Sequence, residues 1–370
     1  MIQELIGRYK RMRTERFLRQ TYQYSYAFVG MGQHSLTNLY PVLHYLGVPL
    51  KYICVTSERK ARLIERKFPY VKATTSLDEI LKDEAVKGVF VSASPSAHFS
   101  LASQVLRSGK SLFIEKPPCQ TLEELDMLID LRRLHGIPEH RSPIPEQNSP
   151  TRSLSRSLSP VAVVGLQKRY APAIRLLKER LGKEHLVSYA LHYLTGAYPE
   201  GNALLDLYIH PLDLVCHLFG QPEILACRQV ARDSYLLMLR HPHLVGTLEL
   251  STAYTWTAAQ ESLKVCTSKG IYRLSQMEEL TFESVPSTIL GIPIEKVHKH
   301  NRHIEYLYSR NNFNPILPDN QIYSQGYYGE IQSFTSSVES GHSTVLADIT
   351  TLKPTYELLM NIGRCPSCPD

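Results

Sequence analysis

The sequence has no long uninterrupted apolar run. Its most apolar stretch, residues 203–219, falls short of the ~20 consecutive apolar residues of a membrane helix, because polar or charged residues interrupt it at Asp206, His210, Asp213 and His217. Residues 1–20 also lack the apolar segment and small-residue cleavage site of a secretion signal. We therefore expect no membrane span and a cytoplasmic location.

A large excess of one charge is also missing. The 41 Lys and Arg residues against 35 Asp and Glu residues give a formal net charge of +6. This excess is compatible with an anionic ligand but is too small for a nucleic-acid-binding surface. We expect a small-molecule partner and no nucleic acid.

The cysteines do not follow a disulfide-rich or zinc-binding pattern. Seven cysteines are scattered over 370 residues, and an odd number in a long chain favours free thiols in a reducing compartment. Cys365 and Cys368 form a single CxxC without a second pair to complete four zinc ligands, so residues 364–370 are interpreted as an ordinary tail. Three further histidines, His298, His300 and His303, lie in a polar stretch without acidic partners at a useful spacing. We interpret this stretch as a solvated loop that binds no metal.

The apolar content is sufficient for two folded domains. Apolar residues make up 43% of the chain and charged residues 21%, and 370 residues exceed the ~250 at which a single core stops growing. Within residues 1–23, apolar side chains recur at helical spacing among basic ones over 2–18. This pattern predicts an amphipathic helix that packs against the domain behind it.

Residues 24–138 alternate between β-rich apolar runs and helical patterns. The expected strands and the helices that follow them are 26–29 and 36–46, 50–55 and 58–67, 88–93 and 97–108, and 111–114 and 122–134. Two capping boxes, at 76–79 and 121–124, support helix starts. The alternation predicts an α/β domain with a doubly wound parallel sheet.

The composition changes after residue 138. Residues 139–160 are rich in Pro, Ser and Arg and repeat Arg-Ser-Leu-Ser, so we expect a disordered surface insertion. Over 161–363, a helix near 203–218 separates an expected strand at 186–194 from further strands at 223–231, 234–240, 244–252, 260–267, 270–274 and 279–284. This order predicts an α+β domain with a largely antiparallel open sheet, followed by helices broken near Gly341 and Pro354.

The first expected strand ends in a glycine motif typical of dinucleotide-binding domains of the Rossmann type. The motif GxGxxS begins at Gly30 and leads into a helix, the context that this fingerprint requires. Gly30 allows the tight turn, Gly32 allows a pyrophosphate to approach the backbone, and amides at the helix N-terminus face that anion. We assign Gly30, Gly32, Gln33, His34 and Ser35 to the cofactor, with Ser35 in place of the usual third glycine and able to cap the helix.

The residues after the second strand favour NADP over NAD. The position ~20 residues beyond the fingerprint, where an NAD site has an acidic residue, is Thr56. Thr56, Ser57 and Arg59, with Lys60, offer hydroxyls and cations suited to a 2′-phosphate. Glu58 leaves NAD open as the alternative.

Two later strands end in polar segments at the same edge of the sheet, where ligands bind. We assign the following of their residues to the cofactor site: Ser94, Pro95, His98, Glu115 and Lys116. Together with the glycine motif, the Ser-Pro turn and the Glu-Lys-Pro segment resemble the Gfo/Idh/MocA oxidoreductases, the family of glucose-fructose oxidoreductase and inositol dehydrogenase. Residues 164–172 and 205–213 resemble that family's substrate-domain strand and its DxGxHxxD helix, although Tyr208 replaces a glycine.

The resemblance and the residues agree on a catalytic group. Asp206 and His210 are four residues apart on one expected helix, so both side chains are predicted on one face. His210 is our candidate base for a substrate hydroxyl, Asp206 would orient its imidazole, and Lys116 would stabilise the developing alkoxide. We assign substrate contacts to Arg169, Tyr170 and Tyr193.

These observations predict an NAD(P)-dependent oxidoreductase acting on a secondary alcohol or ketone of a sugar, cyclitol or similar polar molecule. The resemblance also implies a homo-oligomer formed through the outer face of the second sheet. Two alternatives remain: a non-catalytic cofactor-binding sensor on the same fold, and a redox-neutral NAD-dependent glycosidase.

Overall fold

Two sheets organise the protein in a computed structural model that describes residues 2–18, 21–134, 160–286, 288–293, 296, 303–313 and 316–366. The strands are β1 (Ser25–Val29), β2 (Leu50–Cys54), β3 (Lys72–Thr74), β4 (Val86–Val91), β5 (Ser111–Ile114), β6 (Ala162–Val164), β7 (Leu186–Leu194), β8 (Glu223–Ala231), β9 (Ser234–His241), β10 (Leu244–Ser251), β11 (Gln260–Thr267), β12 (Gly270–Ser275), β13 (Glu279–Ser284), β14 (Thr288–Ile289), β15 (Ile292–Pro293) and β16 (Ile304–Ser309).

The helices fall between and after these strands. They are α1 (Ile2–Leu18), α2 (Tyr40–Leu46), α3 (Glu58–Lys67), α4 (Leu77–Lys82), α5 (Pro95–Arg107), α6 (Leu122–Leu134), α7 (Pro172–Leu181), α8 (Ile209–Phe219), α9 (Gln321–Ser324), α10 (Tyr327–Ser340) and α11 (Lys353–Ile362). Two π-helical segments, Ser35–Leu39 and Leu204–Tyr208, lead into α2 and α8. Short 3₁₀ segments occur at Gln167–Tyr170, Leu317–Asp319 and Ile349–Leu352.

The first sheet is parallel and has the strand order β3-β2-β1-β4-β5-β6. Its strands are apolar because both faces are covered by helices, and β4 and β5 are almost entirely buried. The order reverses between β1 and β4, which opens a crevice at the carboxyl ends of these two strands. The predicted doubly wound α/β domain is therefore confirmed.

The sixth strand of this sheet comes from beyond the predicted insertion. β6 pairs with β5, for example Phe113 with Val163, so the sheet does not end where the predicted first domain ends at 138. The expected assignment of residues from 161 onward to the second domain is wrong for β6, because the strand joins the first sheet. Of the insertion itself, only Pro160 lies within the described residues.

The second sheet contains eight strands in the order β16-β13-β12-β11-β7-β10-β9-β8. All neighbours are antiparallel except β7 and β10, which run parallel. The largely antiparallel sheet is confirmed, and the predicted strands correspond closely to the observed ones. β3 and β16 were not predicted, because one has three residues and the other lies at a sheet edge with mostly exposed side chains. The short strands β14 and β15, which pair only with each other, were not predicted either.

The C-terminal helices pack on the first domain. The ring of Phe334 on α10 lies 5.1 Å from that of Phe90 and 5.9 Å from that of Phe113. The hydroxyl of Tyr26 on β1 donates to Glu339 Oε1 at 2.9 Å. This packing places the N-terminal end of α10 near the carboxyl edge of the parallel sheet, and the predicted breaks coincide with Gly341 after α10 and Pro354 at the start of α11.

One of the two predicted capping boxes forms in part, with the Glu124 side chain on the amide of Gln120 in place of that of Thr121. Thr121 Oγ1 accepts from the Glu124 amide at 3.2 Å, and Glu124 Oε2 accepts from the Gln120 amide at 2.7 Å. Ser76 makes no side-chain cap, because Glu79 instead binds Thr74 and Lys72. The helix start at Leu77 was correct but its capping interaction was not.

The N-terminal helix does not bury its apolar side chains in the domain behind it. Between half and three quarters of the side-chain surface of Ile2, Leu5, Ile6, Tyr9 and Met12 is exposed. The expected packing is therefore wrong for these side chains. Within the described part of the chain, no helix is long and apolar enough to cross a membrane.

Two cysteines are paired, which corrects the prediction that all seven are free thiols. Cys227 on β8 and Cys365 after α11 form a disulfide with their Cα atoms 5.8 Å apart. The chain after α11 folds back on this edge strand, where the Gln229 amide donates to Pro366 O at 3.4 Å. The inference of a reducing compartment, which relied on unpaired cysteines, loses that support.

Candidate active site

A cavity of about 540 Å³ opens at the carboxyl ends of β1, β2 and β4. It contains most of the residues assigned to the cofactor. Its lining includes Gly30, Gly32, Gln33, His34, Ser35, Thr56 and Ser94, together with Lys60, Thr75 and Leu77. The lining does not include the other residues assigned to the cofactor, which are Ser57, Arg59, Pro95, His98, Glu115 and Lys116.

The glycine turn has the geometry of a cofactor cradle. Gly30 adopts φ +90°, and a Cβ atom there would lie 2.2 Å from Ser92 O, so only glycine fits. A Cβ at Gly32 would meet nothing within 4 Å, which leaves open space in front of the backbone. A helix starts directly beyond Gly32, and the free amides at a helix N-terminus favour an anion. The residues present therefore fit a dinucleotide.

Ser35 links the glycine turn to β4 and does not cap the helix. Its side chain is fully buried, and its hydroxyl donates to Ser92 Oγ at 2.9 Å. His34 occupies the N-cap position and makes no side-chain cap. The expected capping role of Ser35 is wrong, because burial directs the hydroxyl to the neighbouring strand end.

The predicted ribose-binding residues are divided between the cavity and the next helix. Thr56 and Lys60 line the cavity. Ser57 caps α3 and accepts from the Lys60 amide at 3.4 Å, while Arg59 is exposed on the helix surface. Glu58 is occupied by Thr75, whose hydroxyl donates to Glu58 Oε1 at 2.9 Å. Beyond the end of β2, the cavity is thus lined by the hydroxyl of Thr56 and the ammonium group of Lys60.

His98 is a structural residue, which corrects its assignment to the cofactor. Its side chain is buried, with Nδ1 2.7 Å from Pro117 O and Nε2 3.1 Å from Ala93 O. Each ring nitrogen faces a backbone carbonyl at the end of β4 or β5, and the neutral ring donates its one N–H to one of the two. The ring therefore ties two strand ends together and has no atom free for a ligand.

Lys116 and the second domain meet in the cleft. The Nζ atom of Lys116 donates to the backbone carbonyl of Asp206 at 2.5 Å. Burial lowers the pKa of Lys116, although the charges of Glu115 and Asp206 partly oppose this shift. Glu115 is buried beside it, with Oε1 3.4 Å from His34 Nε2. The lysine from the parallel sheet and the segment before α8 are therefore in direct contact.

Asp206 does not orient His210. Asp206 Oδ2 accepts from the Asn202 amide at 2.9 Å and from the Tyr198 hydroxyl at 3.4 Å. Among the described residues, His210 Nδ1 is buried and has no hydrogen-bond partner. The prediction assumed α-helical spacing, but Asp206 lies in a π-helical segment, whose wider turn changes the relation between positions i and i+4.

His210 is held in its neutral form. Burial lowers its pKa well below 6.5, and the nearby charges of Lys116 and Lys168 lower it further. A neutral imidazole is the form that accepts a proton. His210 is therefore available to accept a proton near neutral pH, and the same burial makes it a weaker base than an exposed histidine.

Arg169 and Tyr170 support the fold, which corrects their assignment to the substrate. Arg169 is 3% exposed and pairs through two nitrogens with Asp213, at 2.8 and 2.5 Å. Its remaining contacts are with Leu346 O and Thr351 Oγ1, at 2.6 and 2.8 Å. The Tyr170 hydroxyl accepts from the backbone amides of Leu346 and Ala347. The sequence could not distinguish these internal partners from a ligand.

Sequence reasoning did not assign Lys168 and Tyr327 to the site. Lys168 is buried, donates to Glu261 Oε1 at 2.5 Å and lies 4.8 Å from the ring centre of Tyr193. The rings of Tyr327 and His34 have centres 5.9 Å apart. Lys168 lies directly before Arg169 in the quoted motif, whereas Tyr327 is brought to the site by α10 and has no local signal.

Metal ligands are not clustered in the described part of the chain. No group of three or more His, Cys, Asp or Glu side chains there is arranged to hold a metal ion. Of the histidines considered above, His303 is exposed, while His298 and His300 lie outside the described residues. The polar cleft is therefore built from lysine, histidine, carboxylate and tyrosine side chains.

The comparisons with known proteins agree with this geometry. Residues 24–137 match the model of the Gfo/Idh/MocA oxidoreductase family, described as an NAD-binding Rossmann fold. The chain is 25% identical to the oxidoreductase YceM of Salmonella typhimurium over 68% of this chain and 76% of the relative. It is 21% identical to scyllo-inositol 2-dehydrogenase (NAD(+)) of Bacillus subtilis, over 81% and 82% of the two chains.

A solved structure has a similar fold over most of the chain. A dehydrogenase from Chromobacterium violaceum superposes with a TM-score of 0.72 and 21% identity, covering 93% of this chain and 95% of the other. Its fold corresponds to both sheets described above. With a matching Rossmann domain and a dinucleotide cradle, the chain is similar to the Gfo/Idh/MocA oxidoreductases, and its residues 24–137 match the model of that family.

Proposed function

We propose that the protein transfers a hydride between a nicotinamide cofactor and a secondary alcohol or ketone of a sugar, cyclitol or similar polar molecule. The contact between Lys116 and the Asp206 carbonyl carries this proposal, because it joins the end of a parallel strand to the segment that leads into His210. When bound, the nicotinamide ring accepts or supplies the hydride. The similarity to the scyllo-inositol 2-dehydrogenase of Bacillus subtilis supports a polyol substrate.

Three residues have separate roles in the proposed oxidation of an alcohol. Neutral His210 accepts the proton of the substrate hydroxyl while the carbinol carbon loses its hydride. The Lys116 ammonium stabilises the negative charge that develops on oxygen. Asp206 acts as a positioning residue, since its carboxylate holds the Asn202 segment and its carbonyl holds Lys116. Tyr193 remains our candidate substrate contact beside Lys168.

We propose NADP as the preferred cofactor. Thr56 and Lys60 line the cavity where the ribose is expected, and Glu58 is engaged with Thr75. A lysine and a hydroxyl favour a 2′-phosphate, whereas an unoccupied carboxylate would favour a ribose diol. A lower KM for NADP than for NAD is the expected result, and a clear preference for NAD would contradict this choice.

An absorbance screen tests the function. Purified protein is mixed with sugars and cyclitols and either NAD or NADP, and absorbance at the reduced-nicotinamide band is followed. Net oxidation increases this absorbance, while a redox-neutral glycosidase leaves it unchanged and releases a sugar. A sensor binds the cofactor without turnover of any compound. Either of the last two results would replace the proposed function with the corresponding alternative.

The lowered pKa of His210 predicts an unusual pH profile. A base with an ordinary histidine pKa loses activity as the pH falls through about 6.5, because it becomes protonated. Since burial lowers the pKa of His210 well below that value, the acid limb of kcat/KM for alcohol oxidation is expected below pH 6.5. Initial rates from pH 4.5 to 9 measure this limb. An acid limb at or above 6.5 would contradict the assignment of the base.

We propose that the outer face of the second sheet joins copies of the chain. Leu236, Met238 and Val245 on neighbouring strands β9 and β10 expose between 39% and 47% of their surface. An apolar sheet face is stabilised when a second surface covers it. Sedimentation is expected to show a homo-oligomer, and Leu236→Glu is expected to shift it toward monomer. A monomeric wild type would refute this interface.

A further inference from the structure

Two loops leave the second sheet on the same side as the catalytic residues. The strands β7 and β10 are parallel neighbours, so the loops that follow them, 195–203 and 252–259, start from the same edge of the sheet. The first loop leads into the π-helical segment that contains Asp206 and precedes His210. Loop 195–203 is therefore adjacent in the chain to the catalytic segment, and loop 252–259 starts beside it at the edge of the sheet.

Trp256 is exposed and yet fixed in position. About half of its surface, 52%, is accessible, while its Nε1 atom donates to Ala197 O at 2.9 Å. A Cβ atom at Gly196 would lie 2.4 Å from the indole, so the absence of a side chain there allows the backbone to pack against the ring. An exposed aromatic ring with a saturated N–H and a supporting backbone is preorganised for contact.

Tyr254 is held beside the same loop. Its backbone amide donates to Thr195 O at 2.9 Å, and its hydroxyl accepts from Gln260 Nε2 at 3.3 Å. Its surface is 48% exposed. Loop 252–259 thus carries two aromatic residues, and each of them is hydrogen-bonded to a backbone carbonyl of loop 195–203.

This aromatic pair is linked to the catalytic segment through loop 195–203. Tyr198, next to the Ala197 carbonyl that Trp256 binds, donates its hydroxyl to Asp206 Oδ2 at 3.4 Å. Asp206 in turn accepts from Lys116 through its backbone carbonyl. A series of hydrogen bonds through loop 195–203 and Asp206 therefore connects Trp256 with Lys116.

The charge of the two loops indicates which molecule they recognise. Glu200 is the single charged residue in 195–203 and 252–259, and the remaining polar groups are mostly hydroxyls. A phosphate or diphosphate would require arginine or lysine partners. The C–H face of a sugar ring instead packs on an aromatic ring, while its hydroxyls form hydrogen bonds with neutral groups.

We propose that Trp256 and Tyr254 form a second subsite that stacks a neutral sugar ring, so that the preferred substrate has two rings. One ring lies beside His210 and reacts, and the other lies on the aromatic pair. This inference rests on the proposed oxidoreductase function and narrows its substrate to a neutral disaccharide or glycoside, in contrast to a nucleoside diphosphate sugar.

Fluorescence tests binding without requiring turnover. Trp256 is the only tryptophan in the chain, so its emission reports directly on this subsite. The protein with oxidised cofactor is titrated with cellobiose, maltose, glucose and UDP-glucose. A saturable change is expected with a disaccharide at a concentration about tenfold lower than with glucose. No saturable change with either disaccharide, or a tighter response to UDP-glucose, would overturn the inference.

Substitutions separate stacking from support of the loop. Trp256→Ala is expected to lower kcat/KM for the disaccharide about tenfold and to change that for a one-ring substrate by less than about threefold. Trp256→Phe keeps an aromatic face without the indole N–H and is expected to retain most of the disaccharide preference. Tyr70→Ala removes a 96% exposed aromatic ring from the first domain and is the matched control.

The outcomes distinguish this inference from the proposed function. If the protein oxidises both one-ring and two-ring sugars and Trp256→Ala lowers kcat/KM equally for both, the second subsite is overturned. The oxidoreductase function then stays intact. A change in oligomeric mass without a change in disaccharide preference would identify Trp256 as an interface residue and also overturn it. Saturable disaccharide binding without any change in nicotinamide absorbance would support the subsite and refute net oxidation.

Discussion

Replacing His210 with alanine is expected to reduce turnover by about 10²- to 10⁴-fold, the range typical for loss of a general base. The imidazole is neutral because burial and the charges of Lys116 and Lys168 oppose its protonation. Among the described residues, no other neutral base lies in the segment around Asp206 that Lys116 contacts. Steady-state rates with a substrate from the screen measure the loss.

The affinity for the cofactor separates catalysis from folding in this experiment. His210 is not among the residues that line the cavity at β1, β2 and β4, so binding of oxidised cofactor is expected to be unchanged. His192→Ala is a matched control, because this histidine is exposed on β7; we expect its turnover to stay within about twofold. Unchanged turnover in His210→Ala would remove this residue from the mechanism.

Replacing Arg169 with alanine is expected to lower the free energy of unfolding by about 3–5 kcal/mol, the usual loss when one member of a buried ion pair is removed. Arg169 and Asp213 are almost fully buried, and the substitution would leave the Asp213 carboxylate with only Thr355 Oγ1 at 3.1 Å. Denaturant unfolding monitored by circular dichroism measures the change.

A surface ion pair provides the comparison for Arg169. Arg240 donates to Glu223 on the second sheet, but more than half of each side chain is exposed, so Arg240→Ala is expected to cost less than about 1 kcal/mol. If Arg169→Ala is as stable as Arg240→Ala and instead raises the KM for substrate, the original assignment of Arg169 to the substrate is correct and our structural interpretation fails.

Local patterns in the chain were sufficient for the architecture. Alternation of apolar runs with helical spacing predicted the parallel sheet, and successive β-rich runs predicted the antiparallel one, because buried strands and amphipathic helices have distinct periods. The fingerprint at Gly30 was predictable for a related reason: its function depends on backbone conformation and on a short stretch of sequence. Because these patterns involve only neighbouring residues, they could not show that β6 pairs with β5, a strand about 50 residues earlier in the chain. β6 was therefore assigned to the wrong sheet.

The roles of individual side chains depended on partners distant in the chain. Arg169, Tyr170 and His98 looked like ligand-binding residues, but their polar atoms are occupied by Asp213, by the backbone at 346–347 and by the carbonyls at 93 and 117. A polar side chain in a sequence carries no sign of whether its hydrogen bonds are already satisfied internally.

Periodicity and motif spacing, which are properties of neighbouring residues, were enough to establish two sheets, a dinucleotide fold and a candidate lysine and histidine. Folding decided the rest: the π-helical segment that turns the Asp206 carboxylate away from His210, the disulfide between Cys227 and Cys365, and the arrival of Tyr327 beside His34. These features depend on contacts between residues far apart in the chain, and such contacts exist only once the core has packed.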